Sequence, residues 1–284
     1  MNGIFIFAIA LNILFVVIEA GVGVWQNSLS LLSDAGHNLS DVFSLVLVLV
    51  AFRLAKVHSN SHFTYGYRKS TVLISLLNAV ILLVAVGAII IESIHKFSTP
   101  AEVNGVAISW TAGVGILING ITALLLMHGQ KEDLNVRGAF LHMVADTLVS
   151  VGVVISGVII AFTGWVIIDP IVSLIIAAVI LASTWELLSD SLRLAVDGIP
   201  EGIDIDEIKT VLSSPEHVTE AHHVHIWAIS TTETALTAHI VTNDLNTWPQ
   251  TAHAIKHALA EHGIVHATLE PETSEEECHE KECN

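Results

Sequence analysis

Leu29-Ser30-Leu31-Leu32-Ser33-Asp34-Ala35-Gly36-His37-Asn38-Leu39-Ser40-Asp41 is an apolar run into which Asp34, His37 and Asp41 are set at i, i+3 and i+7. In a helix that spacing lines the three polar groups along one stripe. His142-Met143-Val144-Ala145-Asp146, with Ser150 one turn further on, repeats the device in a second apolar segment. An imidazole and a carboxylate from each of two facing helices make four ligands for a tetrahedral divalent metal. Ionisable groups inside a membrane span are costly, and a lone histidine there usually serves as a hydrogen-bonded tie to a neighbouring helix. Two copies of H-x-x-x-D point instead to a shared ion site of His37, Asp41, His142 and Asp146.

Composition agrees with a membrane setting. The chain is 52% hydrophobic and only 14% charged, against about 25% charged in soluble domains. Six apolar stretches, near residues 3–25, 29–51, 72–94, 106–128, 138–163 and 165–187, are each long enough to cross the roughly 30 Å of bilayer hydrocarbon. The first lacks the basic start and small-residue cleavage site of a signal peptide and carries Glu19, so it reads as a span. Glu19, Asn12 and Asn119 read as polar ties between helices. Arg53, Lys56, Arg68, Lys69, Lys131, Arg137 and Arg193 fall on one side of the spans and Lys96 on the other. That bias places both termini in the cytoplasm.

Charge then divides the chain. From Asp197 onward it carries 17 acids, 3 basic residues and ten of the 16 histidines. We expect a membrane unit at 1–195, a cytoplasmic unit at 196–273 and an acidic tail at 274–284. The tail holds Cys278 and Cys283, too close together to form a structural disulfide framework. The acidity argues against nucleic-acid binding. No phosphate-binding loop, HExxH or nucleophile motif occurs, so nothing speaks for an enzyme. Beyond the membrane unit the pattern predicts a helix at 204–212, strands at 221–230 and 234–242, a helix at 251–262 and a strand at 266–272. This α+β order is that of a ferredoxin-like layer missing its first strand. Alternation about the turn Thr231-Thr232-Glu233 sets His225 opposite Ala238 or His239, with His223 on the same face and His222 pointing away.

Two histidines with two carboxylates favour zinc or a similar ion over calcium or magnesium. Full ligation leaves no position for a catalytic water. Histidine, titrating near pH 6.5, can trade a proton for the metal, which suggests metal–proton antiport.

The quoted runs, with Thr64-Tyr65-Gly66-Tyr67, Asp133-Leu134-Asn135-Val136-Arg137-Gly138 and Val224-His225-Ile226-Trp227, resemble the signatures of cation diffusion facilitators over nearly the whole chain. The resemblance implies a homodimeric metal-ion/proton antiporter with six spans and a cytoplasmic ferredoxin-like domain. A histidine heading both pairs goes with zinc preference in that family, so export of Zn2+ from the cytoplasm is the expectation. Export of cobalt or cadmium is the alternative, and a membrane metal sensor without transport is another. The resemblance further implies a cytoplasmic zinc site of His225, His239, His266 and Glu272, with Cys278 and Cys283 as a further clamp. It implies a weaker site at His58 and His62, and a dimer-locking contact of Lys69 with Asp197. The family's usual acid early in the third span is replaced by Ser70 and Thr71. The short 128–137 loop suggests a prokaryotic plasma membrane.

Overall fold

The computed structural model describes residues 2–25, 29–98, 105–165 and 167–273. Six long helices come first: α1 (Asn2–Trp25), α2 (Leu29–Ala55), α3 (Ser70–Ser98), α4 (Gly105–Leu126), α5 (Leu134–Thr163) and α6 (Ile168–Ala195). The shortest has 22 residues, about 33 Å at 1.5 Å per residue, which is enough to span. Among the described residues, apolar stretches long enough to cross a membrane run through Gly3–Val22, Ser70–His95, Leu134–Ser156 and Pro170–Ala195, and a shorter apolar stretch, Gly113–Leu126, lies in α4. Phe7, Val17, Val84 and Leu124 point outward from these helices, as side chains facing lipid must.

Several helices outrun the apolar windows. α2 continues to Ala55, α5 begins at Leu134, and α6 runs from Ile168 to Ala195 rather than from 165 to 187. The apolar runs of the sequence end where charge begins, but backbone hydrogen bonding does not, so Arg53, Arg137 and Arg193 sit on helix beyond the stretches expected at 29–51, 138–163 and 165–187. Gly164, at φ +66°, delays the start of α6, and Pro170 is tolerated because it lies in the first turn.

The helices pack as pairs α1–α2, α4–α5 and α3–α6. Phe5 and Ala8 (α1), Leu45 and Val48 (α2), Ala123 and Leu126 (α4), and Val136, Ala139 and Met143 (α5) share one core. Val86, Ala145, Ala177 and Ile180 join α3, α5 and α6. Gly152 lets α5 approach α6 closely: a Cβ there would stand 2.6 Å from Ile176 and 3.1 Å from Val172. Polar ties span the pairs, with Asn12 Nδ2 donating to Thr122 Oγ1 at 3.2 Å and Ser75 bonded to Ser191 at 2.8 Å.

The connection between α2 and α3 is a folded loop. Asn60 Oδ1 accepts from the amides of His62 and Phe63, both at 2.9 Å. Gly66 turns at φ +67°, where a Cβ would meet the carbonyl oxygen of Val57 at 2.6 Å, so only glycine fits.

In the C-terminal region, Asp204 caps α7 (Ile205–Leu212) by accepting from the Asp206 amide at 2.8 Å. β1 (Val218–Ala228) pairs antiparallel with β2 (Thr234–Thr242), and α8 (Trp248–Glu261) carries the chain across to β3 (Ile264–Glu272), parallel to β2. The expected α-β-β-α-β order is therefore present, with strand order β1-β2-β3. Ile208, Leu212, Leu236, Ile240, Ile255 and Leu259 fill the layer between sheet and helices.

His262 closes α8, its Nδ1–H donating to Ala258 O at 2.8 Å and its Nε2 lying 3.4 Å from Glu207. That backbone bond raises the ring's pKa. Desolvation opposes the rise and Glu207 adds to it. The protonated ring therefore favours the folded state. Its contribution is complete below the unfolded value of about 6.5 and fades as pH climbs through the raised native value. The urea midpoint of the full chain's C-terminal region is expected to decline over that interval. In His262→Gln the decline should be shallower, and equal slopes would remove this role.

The β1–β2 hairpin tip docks on the helix ends. The Thr231 amide donates to Thr71 Oγ1 at 3.0 Å, and its hydroxyl donates to Asp133 Oδ2 at 2.9 Å. Asp133 is itself the cap of α5, accepting from the Asn135 amide at 2.7 Å. Arg68 pairs with Glu233, and Val72, Leu194 and Ala228 close an apolar contact beneath.

Candidate metal centres

α2 brings Asp41 to face His142 and Asp146, one turn apart on α5. Asp41 is 0% exposed and His142 5% exposed. His142 Nε2–H donates to Asp41 Oδ1 at 2.7 Å, and Asp146 Oδ2 lies 3.7 Å from the same nitrogen. Ligand atoms of Asp41, His142 and Asp146 all fall within 4.8 Å of one another, a spacing that can hold a metal ion. His37 occupies α2 one turn before Asp41; its side chain, like that of Asp34, is outside the described residues. Asn38, between the two, donates from Nδ2 to Glu19 Oε2 on α1 at 2.8 Å.

A second cluster lies on the sheet face turned away from α7 and α8. Glu272 Oε1 stands 2.5 Å from His239 Nδ1, and Glu272 Oε2 stands 3.2 Å from His222 Nε2. These three residues also satisfy the spacing for an ion. Glu220 and Glu270 approach the outer nitrogens at 3.5 and 3.6 Å. The His223 ring stacks on His239 at 4.8 Å and meets His225 edge-on at 4.7 Å.

This geometry corrects the expected register. His239 faces His222 because β1 bulges between His222 and His225, whereas His225 faces Thr237 because β1 ends at Ala228, opposite Thr234, two residues short of the expected end at 230. His223 takes a left-handed conformation at φ 51°, which inserts one residue and flips the alternation beyond it. His222, expected to point away, is thus in the cluster. His266 is not: it pairs with Ala235, far along the strand from His239, and packs edge-on against Tyr65 at 5.7 Å. Two adjacent histidines at the start of a strand were the available hint of a bulge.

The remaining expected positions are more ordinary. His58 and His62 are exposed on the 56–69 loop, His62 contacting Ser61 Oγ at 3.3 Å. Lys69 Nζ reaches Asp197 Oδ1 at 2.6 Å, Leu194 O at 2.8 Å and Ala228 O at 3.0 Å, which within one chain ties the start of α3 to the end of α6 and to β1. Cys278 and Cys283 lie outside the described residues. Arg137 on α5 is held by Glu186 at 2.6 Å and Asp190 at 3.1 Å on α6, a contact that the sequence reading did not foresee.

Comparison with known proteins bears on the whole chain. Residues 5–194 match the cation efflux transmembrane domain, and residues 200–280 match the cytoplasmic domain of cation efflux proteins. The cadmium, cobalt and zinc/H(+)-K(+) antiporter of Bacillus subtilis strain 168 is 37% identical over 264 residues, covering 91% of this chain and 85% of that one. Zinc transporter ZitB of Escherichia coli K12 is 36% identical over 274 residues, covering 95% and 86%. The metal cation efflux system protein CzcD of Cupriavidus metallidurans is 33% identical over 265 residues, covering 93% and 84%. With both matched domains present and a buried acid–imidazole pair between its membrane helices, the chain belongs to the cation efflux family, the cation diffusion facilitators, and is a membrane transporter of metal cations rather than an enzyme.

Proposed function

We propose that this protein exports Zn2+ from the cytoplasm in exchange for protons, as a homodimer in a prokaryotic plasma membrane with both termini cytoplasmic. The ion binds between α2 and α5 on His37, Asp41, His142 and Asp146. The observation that carries this reading is the buried bond from His142 Nε2–H to Asp41 Oδ1 at 2.7 Å, with Asp146 beside it. A proton occupies the nitrogen position that a metal would take, so the ion enters only as the proton leaves. The reverse exchange on the far side releases the ion. Nitrogen and carboxylate donors in equal number suit zinc, and relatives named for zinc, cadmium and cobalt support this group of ions as substrates.

Under the same proposal the chain divides into a membrane unit at 1–195, a cytoplasmic unit at 196–273 and the acidic tail at 274–284. A regulatory zinc binds the cytoplasmic unit at His222, His239 and Glu272, with His223 and His225 alongside. The cation would offset the mutual repulsion of two acidic domains in the dimer.

Zinc uptake by liposomes containing the purified protein is expected to depend on an imposed pH gradient and to collapse with an uncoupler. Uptake indifferent to the gradient would refute proton coupling. Competition by cadmium and cobalt in the same vesicles ranks the substrates, and either ion displacing zinc at equal concentration would overturn the zinc assignment.

A further inference from the structure

Glu19 is 3% exposed on α1, and its Oε2 accepts from Asn38 Nδ2 at 2.8 Å. Asn38, 6% exposed, stands between His37 and Asp41 on α2. Two other ties between buried helix faces, Asn12–Thr122 and Ser75–Ser191, use neutral groups. These cost less to bury than a carboxylate. An amide N–H can only donate, so Glu19 Oε2 accepts from it, and that buried bond holds the Asn38 side chain in one orientation.

Holding Asn38 fixes how far α2 is turned about its own axis. Side-chain tips ride at about 6 Å from a helix axis, so a rotation of about 20° would carry the Asp41 carboxylate by about 2 Å. Metal ligation tolerates only about 0.2 Å. α1 can serve as the reference because it is also anchored to α4, two turns earlier on the same face, through Asn12 and Thr122.

We infer that Glu19 is a positioning residue for the membrane metal site, acting through Asn38 to set the rotation of α2 and hence the placement of its ligands. The inference rests on the reading of His37, Asp41, His142 and Asp146 as the transport site, and it adds a fifth side chain, on a third helix, that touches no cargo.

A double-mutant cycle on the full-length protein in liposomes tests it, with zinc as the probe. Glu19→Leu and Asn38→Leu are each expected to raise KM for zinc by about tenfold while kcat falls less, the size expected for losing one well-placed interhelical bond. The double variant should be no worse than either single, because both remove the same bond. Glu19→Gln retains an acceptor oxygen and should recover most of the loss, which a purely space-filling role would not produce. A wild-type KM in Glu19→Leu, or a double variant whose loss is the product of the singles, would overturn the inference. Asp41→Ala in the same vesicles separates the two readings. If it still transports, the site reading fails. If it is silent while Glu19→Leu behaves as wild type, only the role of Glu19 fails.

Discussion

Zinc flux through Asp41→Ala is expected to fall by two to three orders of magnitude, since breaking a buried charged pair costs about 3–5 kcal/mol. Two losses combine. The His142 Nε2–H loses its acceptor at 2.7 Å, and a bound divalent ion keeps only one of two carboxylates to neutralise it. In water the second loss would be modest, but between membrane helices no solvent replaces the missing charge. Asp41→Asn restores the acceptor without the charge, so it should recover the fold's stability more than the flux. Zinc binding by the C-terminal region should persist in both variants, which separates a transporter from a sensor whose affinity resides in that region. Flux near the wild-type level in Asp41→Ala would sink the site.

His222→Ala is expected to lower the zinc affinity of the C-terminal region by about a hundredfold, as loss of one of three ligands should. Titration in the Asp41→Ala background isolates that site from the membrane one. Removal of His222 leaves Glu272 and His239 still paired at 2.5 Å, so the sheet should hold while the ion loses an anchor. His266→Ala should change the affinity little, because His266 lies against Tyr65 rather than in the cluster. The opposite ranking, with His266 essential and His222 dispensable, would restore the unbulged register in function.

The contrast between the two centres shows what a sequence carries about its own structure. A separation of four on a helix is a local property: nothing between His142 and Asp146 can turn one away from the other while the helix lasts, so that stripe was legible. Strand alternation is also local, but it assumes an unbroken ladder. The single left-handed residue His223 moved His222 into the cluster, and the longer turn that ends β1 at Ala228 moved His225 off its expected partner. The helix count followed from the lengths of the apolar runs. Helix ends did not, because Arg53 and Arg193 continue helices beyond the expected stretches. Glu19 and Asp133 were visible as residues, but their partners Asn38 and Thr231 belong to other segments, and spacing alone does not supply contacts between segments.

The docking of the β1–β2 hairpin gives several membrane helices a common end. Its tip reaches α3 through Thr71 and Arg68 and α5 through Asp133, and Lys69 draws the ends of α6 and β1 together. Three helices are thus keyed at one end to a single stiff plate, and none of them can spin or slide there without carrying the sheet along. α2 is keyed less directly: its end passes into the 56–69 loop, which meets β3 by the ring contact of Tyr65 with His266. α1 and α2 join that frame through α5, with which they share a core and the Asp41–His142 bond, so a shift of the sheet is carried to Asp41 by the same helix that holds His142 and Asp146.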